Sequence, residues 1–127
     1  MKDVAGVWRL VKTAAVDPQG KPLPQPYGPK PMGTLTLSSD GRLMAVLCDG
    51  RAELDGAREY NSYCGNYKFD GKTLTTHVDA ASTTARMGTD QVRQVRFEGP
   101  HMILRPPLQT LAGGTEQQRE LTWERIG

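Results

Sequence analysis

Gly6-Val7-Trp8-Arg9, near the start of the chain, is answered by Leu121-Thr122-Trp123-Glu124-Arg125 at its end. Each stretch is short and β-favouring, and each carries one of the two tryptophans. A first strand that pairs with the last leaves a sheet no edge, and only closure removes the unpaired backbone groups that edges expose. The two stretches therefore predict a barrel, a shape with room for a small-molecule pocket.

Between these ends the turn signals are regular: Asp17-Pro18-Gln19-Gly20, Asp40-Gly41, Asp49-Gly50, Asp55-Gly56, Asp70-Gly71, Gly99-Pro100 and Gly113-Gly114. Asp-Gly supplies the positive φ that tight hairpins need. The runs between them predict strands over 6–15, 33–39, 42–48, 65–69, 72–79, 91–97, 101–105 and 118–126. The fold class that follows is all-β, an antiparallel up-and-down barrel of about eight strands in one domain, 1–127. Five prolines between Lys21 and Met32 mark a stiff extended loop able to cross one mouth of the barrel. Asp55 to Tyr63 reads as the one short helix, with Asp55 as N-cap and Tyr60 and Tyr63 on one side.

Alternation assigns faces within the strands, and one bulge would invert any assignment downstream of it. Trp8 and Leu10 share a face, as do Leu121, Trp123 and Arg125. Arg93, Val95 and Phe97 share another, and His77 opposes Leu74, Thr76 and Val78.

Composition narrows the partners. The chain has 127 residues, 37% hydrophobic and 24% charged, at net +2. Its scattered charges form no basic stripe for nucleic acid. No run approaches the roughly 20 apolar residues of a membrane helix. No apolar leader follows Met1-Lys2-Asp3, so a cytoplasmic chain, monomer or homodimer, is expected. Cys48 and Cys64 stand apart without metal-ligand spacing, which predicts free, buried thiols and no metal or cofactor. Phosphate-binding Gly loops, G-x-S-x-G and H-E-x-x-H are absent.

Gly6-x-Trp8-Arg9-Leu10, Pro26-Tyr27-Gly28-Pro29, Asp40-Gly41-Arg42-Leu43, Tyr63-x-Gly65-x-Tyr67, Thr76-His77-Val78, Gly88-Thr89-x-Gln91-Val92-Arg93 and the closing Trp123-Glu124-Arg125 fall in an order that resembles the bacterial and fungal lipocalin-like domain family. The resemblance spans nearly the whole chain and implies a calycin-type barrel with an internal cavity. It further implies that Trp8, Trp123 and Arg125 close the barrel, Arg125 packing across Trp8. Arg86-Met87 stands where members of the family often carry an aromatic, implying a more flexible contact at the cavity mouth.

Several residues could carry chemistry inside such a barrel. Arg93, if inward, either binds a ligand oxygen or pairs internally. His77 has the ring for proton transfer, yet faces solvent if Leu74 and Val78 face the core. Tyr63, Tyr67, Tyr27, Phe97 and Met87 are candidates for lining the cavity, and Met32, Met44 and Met102 for adaptable apolar contacts. Three functions fit these residues: binding of a small, largely apolar, oxygen-bearing compound; cofactor-independent isomerase, cyclase or lyase chemistry on a hydrophobic carbonyl compound, with Arg93, His77 and Tyr67 as catalytic residues; or a structural module whose barrel is filled. The catalytic reading requires His77 and Arg93 to point into one cavity.

Overall fold

The computed structural model describes residues 3–110 and 113–127; Met1 and Lys2, on which the reading of the N-terminus partly rested, lie outside the described residues. The strands are β1 Gly6–Val16, β2 Pro31–Leu37, β3 Arg42–Asp49, β4 Tyr60–Phe69, β5 Thr73–Ala81, β6 Asp90–Glu98, β7 His101–Arg105, β8 Gln109–Thr110 and β9 Glu116–Arg125. Seven of them follow in order, β1 to β7, then β9, which pairs back onto β1. Every pairing is antiparallel, and Trp8 lies opposite Arg125 with Leu10 opposite Trp123. The result is a closed eight-strand barrel, with two-residue β8 added on the far half of β9.

Closure follows from matched patterns. In β3 the strict exposed–buried alternation sends Leu43, Ala45, Leu47 and Asp49 inward. In β5 Leu74, Thr76 and Val78 point in. β1 carries Trp8 and Leu10 on the inner face, and a bulge between Leu10 and Lys12 then resets the register so that Thr13 and Ala15 continue it. A second irregularity sits between Cys64 and Gly65 of β4, where a Cβ on Gly65 would overlap the His77 carbonyl oxygen. Only glycine allows β5 to approach that closely.

The predicted helix over 55–63 is not formed. Gly56 has φ +120, outside the helical region, and Tyr60 to Tyr63 instead pair with Cys48 to Ala45 of β3. The unpaired backbone of β3 outweighs the helical spacing of the two tyrosines. The short helical turn of the described chain is a single 3-10 turn at Thr84–Arg86, between β5 and β6.

The connections sort by length. Residues 38–41, 70–72 and 99–100 make tight turns at one end, while 17–30, 50–59 and 82–89 make long ones at the other. The core fills the tight-turn end with Val4, Trp8, Leu37, Leu43, Leu74 and Met102, each no more than 2% exposed. Met32, Met44 and Met87, by contrast, are about half exposed, so among the expected methionine contacts Met102 alone is inward. No described helix is long and apolar enough to cross a membrane.

Candidate functional site

The tight-turn end is sealed. Trp8 donates its indole N–H to the Val4 carbonyl at 2.9 Å. The Arg125 guanidinium lies 4.4 Å from the Trp8 ring centre and donates to the carbonyls of Asp3 and Ala5. Such a cation over an indole both screens the ring and ties the two chain ends together. Trp123 is buried beside this seal, and its Nε1 has no hydrogen-bond partner among the described residues. Tyr67 belongs to the same end: its hydroxyl donates to the Ser38 carbonyl at 2.6 Å. Phe97 packs partly buried against the core there, opposite Met102.

Polar side chains gather at the opposite, long-loop end. Arg93 follows the inner face of β6 with Gln91, Val95 and Phe97. Its guanidinium donates to Gln91 Oε1 at 2.9 Å and to the Val92 carbonyl at 3.0 Å. It forms no ion pair with a carboxylate among the described residues. Burial lowers its pKa from the usual guanidinium range, and nearby Arg86 adds to this; the Tyr63 and Tyr27 phenols act the other way. A half-buried cation that bonds neutral acceptors retains part of its desolvation cost, since no opposite charge offsets it. Tyr63 stands beside it with Arg86 5.9 Å from its ring centre. Burial pushes the Tyr63 phenol up, against the pull of Arg93 and Arg86, so it carries its proton at neutral pH.

Tyr27 closes this end from above. It is 5% exposed and its φ is +63, the left-handed region, which among the described residues no other non-glycine adopts. Three contacts hold it. Its N–H donates to Glu59 Oε1 at 2.7 Å, the preceding Pro26 carbonyl accepts from the buried Thr13 hydroxyl at 2.6 Å, and the phenol hydrogen-bonds with Asn61. Burial pushes its pKa up, the strongest influence; Glu59 adds to this, and Arg119 and Arg86 oppose it. Glu59 reaches on to Arg119 at 3.5 Å. Nearby, Arg51 bonds the Asp49 carboxylate through two nitrogens, at 3.0 and 2.7 Å, and holds its pKa down at about 2.

The expected residues therefore divide. Arg93, Tyr63 and Tyr27 converge at the long-loop end, and Met87 sits exposed beside the 3-10 turn there. Tyr67 and Phe97 serve the sealed end. His77 is on the outside: its side chain is 63% exposed and its Nδ1 lies 2.8 Å from Asp90 Oδ1. It shares no cavity with Arg93, because the parity of β5 turns Leu74, Thr76 and Val78 inward. Cys48 and Cys64 are free but half-buried on the outer face, not core residues, since Leu47 and Gly65 take the inward positions. Asn61, Gln91 and Arg119 were not among the expected site residues. For Arg119 and Gln91 the signal was available, since they share the faces of Leu121 and Arg93.

Two apolar clefts, of about 410 and 340 Å³, lie on the outer wall beside Met44, Val46 and Tyr60 and beside Met32, Thr34 and Cys48. No cluster of three metal-ligating side chains occurs among the described residues.

Comparison with known proteins places these features. A sequence model described as a lipocalin-like domain matches residues 5–126. No curated protein matches the chain. Among solved structures it is similar to a de novo designed fluorescence-activating beta barrel, at 10% identity, covering 96% of this chain and 93% of that one, with a TM-score of 0.43.

Proposed function

This chain belongs to the lipocalin-like domain family, and from that premise we propose that it binds a small, largely apolar compound bearing an oxygen function at the long-loop end of the barrel. The observation that carries the proposal is Arg93, a half-buried guanidinium on the inner face of β6 that bonds two neutral acceptors, Gln91 Oε1 and the Val92 carbonyl. A guanidinium has five N–H donors, so several remain for a ligand oxygen. A ligand carbonyl, hydroxyl or carboxylate at Arg93 gains a charge-assisted hydrogen bond in a site of low dielectric. Leu104, buried, and its cross-strand partner Leu121, partly buried, are apolar neighbours for the rest of the molecule.

The catalytic alternative needs a base facing Arg93, and His77, the residue expected to serve, points away from the barrel. Tyr63 remains beside Arg93, protonated, as a donor to a ligand oxygen. The filled-module alternative accounts for the apolar sealed end but not for the cations gathered at the other. A cytoplasmic, soluble chain acting as monomer or homodimer, without nucleic acid or cofactor, completes the proposal.

Isothermal titration of the full chain with decanoate, decanol and decane tests it. The carboxylate and alcohol are expected to bind and the hydrocarbon to bind more weakly. Arg93→Met should weaken decanoate by about tenfold or more, the worth of one charge-assisted hydrogen bond. Absence of binding by all three, or equal binding by wild type and Arg93→Met, refutes the proposal.

A further inference from the structure

We infer that the Tyr27 side chain is a built-in occupant of the binding place: it sits where the head of the ligand sits, it must withdraw before a ligand enters, and the ligand class it stands in for is an aromatic ring bearing an acidic oxygen, a phenol or an aryl carboxylate. The inference rests on the binding reading above and specifies it.

Tyr27 is the side chain that the loop inserts into the barrel mouth. Its phenol contacts Asn61 and lies within electrostatic reach of Arg93, Arg119 and Arg86. A ring with one oxygen is thus already seated among an amide and three cations. An external phenol or benzoate offers the same shape, and in its ionised form offers these cations the anion that Tyr27, with its raised pKa, does not.

The loop is built to release it. Leu23 N–H is bonded to the Ala15 carbonyl at 2.9 Å, and the Lys30 carbonyl accepts from Gly50 N–H at 2.7 Å. These bonds tether both ends of the intervening segment Pro24-Gln25-Pro26-Tyr27-Gly28-Pro29. Its three prolines keep it stiff, so it moves as a strap between two fixed points. Inside the strap the bonds are few: Thr13 to Pro26, Tyr27 to Glu59, the phenol to Asn61, and the Gly28 N–H to the Gln25 carbonyl at 3.2 Å, beside the burial of the Tyr27 ring against the core. Against them stands the left-handed φ of Tyr27, a conformation that strains any residue with a Cβ. Withdrawal relieves that strain and leaves Leu23 and Gly50 bonded.

Titration of the full chain with 4-propylphenol, followed by amide NMR, tests this, with propylbenzene as the control. A competitor that fills the site lowers the apparent affinity by the fraction of time the site is open. Tyr27→Gly removes the occupant and suits φ +63, so it should bind 4-propylphenol on the order of tenfold more tightly than wild type. In wild type, saturation with the phenol should speed hydrogen exchange at Tyr27 and Gly28 while Leu23 and Gly50 stay protected. Equal or weaker binding by Tyr27→Gly, with the loss caused by Arg93→Met intact, overturns the occupant and spares the binding reading. Unchanged exchange at Tyr27 and Gly28 on saturation overturns it as well, whatever the variant does. If 4-propylphenol binds neither protein while decanoate still binds, the aromatic ligand class is overturned and the binding reading stands; if decanoate binds Arg93→Met as well as wild type, the binding reading falls and this inference with it.

Discussion

Gly6→Ala is expected to unfold the sealed end by displacing Arg125, and a double-mutant cycle isolates that effect. Gly6 has φ +144, and a Cβ built there would overlap Arg125 Nη1 and lie 2.9 Å from the Gly127 carbonyl oxygen. The backbone strain alone costs about 1–2 kcal/mol. Moving the guanidinium away loses its stacking on Trp8, worth about 0.5–1 kcal/mol at an exposed site. It also loses the bonds to Asp3 and Ala5, which add about 0.5–1 kcal/mol once screening by solvent is allowed for. Gly6→Ala should therefore cost about 2–4 kcal/mol, and Arg125→Ala about 1–2 kcal/mol by the same estimates. In the Arg125→Ala background the clash with the side chain is gone, so Gly6→Ala costs the strain and the contact with the Gly127 carbonyl, which both backgrounds share, and the coupling is about 1–2 kcal/mol. Urea unfolding followed by far-UV circular dichroism measures each corner of the cycle, with unchanged m-values as the check on two-state behaviour. Effects that add to within about 0.5 kcal/mol would show that the guanidinium does not fill the space above Gly6, and the account of the seal would be wrong.

Three further outcomes are expected. Asp49 has its folded pKa depressed to about 2 from 3.8, so the stability it contributes is present above about pH 4 and is lost as the pH falls from about 4 to 2; Asp49→Asn should flatten that limb of a plot of Tm against pH. Gly65→Ala drives a Cβ into the backbone of β5, and guanidinium chloride unfolding should show a loss of about 3 kcal/mol or more, against only the left-handed strain of about 1–2 kcal/mol for Gly113→Ala, which has φ +92 and whose Cβ meets nothing within 4 Å. Cys48 and Cys64 face outward on adjacent strands, with Tyr60 and Met44 as their cross-strand partners, which separates them along the sheet by about 13 Å. That exceeds disulfide reach, so a thiol titration after air oxidation of the dilute protein should still count both as free.

The barrel was legible because two independent signals agree in it, Asp-Gly turns that set where strands stop and a period of two that sets which way they face. His77 illustrates the second: it was a catalytic candidate, but with Leu74 and Val78 facing inward the same period turns it outward. The helix over 55–63 misled because Tyr60 and Tyr63 suit two periods at once, and on a strand their odd spacing sends them to opposite faces. No local signal reveals that β3 lacks a partner there. Arg119 was within reach of the same alternation that placed Leu121 and Trp123. Tyr27 was readable as a ring in the proline-rich loop, but its inward turn depends on Thr13, Asn61 and Glu59, which come from three other parts of the chain. Such convergence is set by tertiary packing and leaves no periodic trace.

The pairing of Trp8 with Arg125 joins residues 117 positions apart, counting from 8 to 125. A contact of that separation forms late, because the intervening chain must first be ordered at the cost of its entropy. During synthesis β1 exists with one side bonded to β2 and the other bare until residue 125 has been made. The nascent protein is then an open sheet with two free edges, one of them carrying Val7, Arg9 and Val11 outward. Arg9 puts a charge in the middle of that exposed row, the device by which sheet edges resist joining one another. Its pairing with Glu124 in the finished barrel thus has an earlier counterpart, a gatekeeper that guards the edge until the last strand arrives.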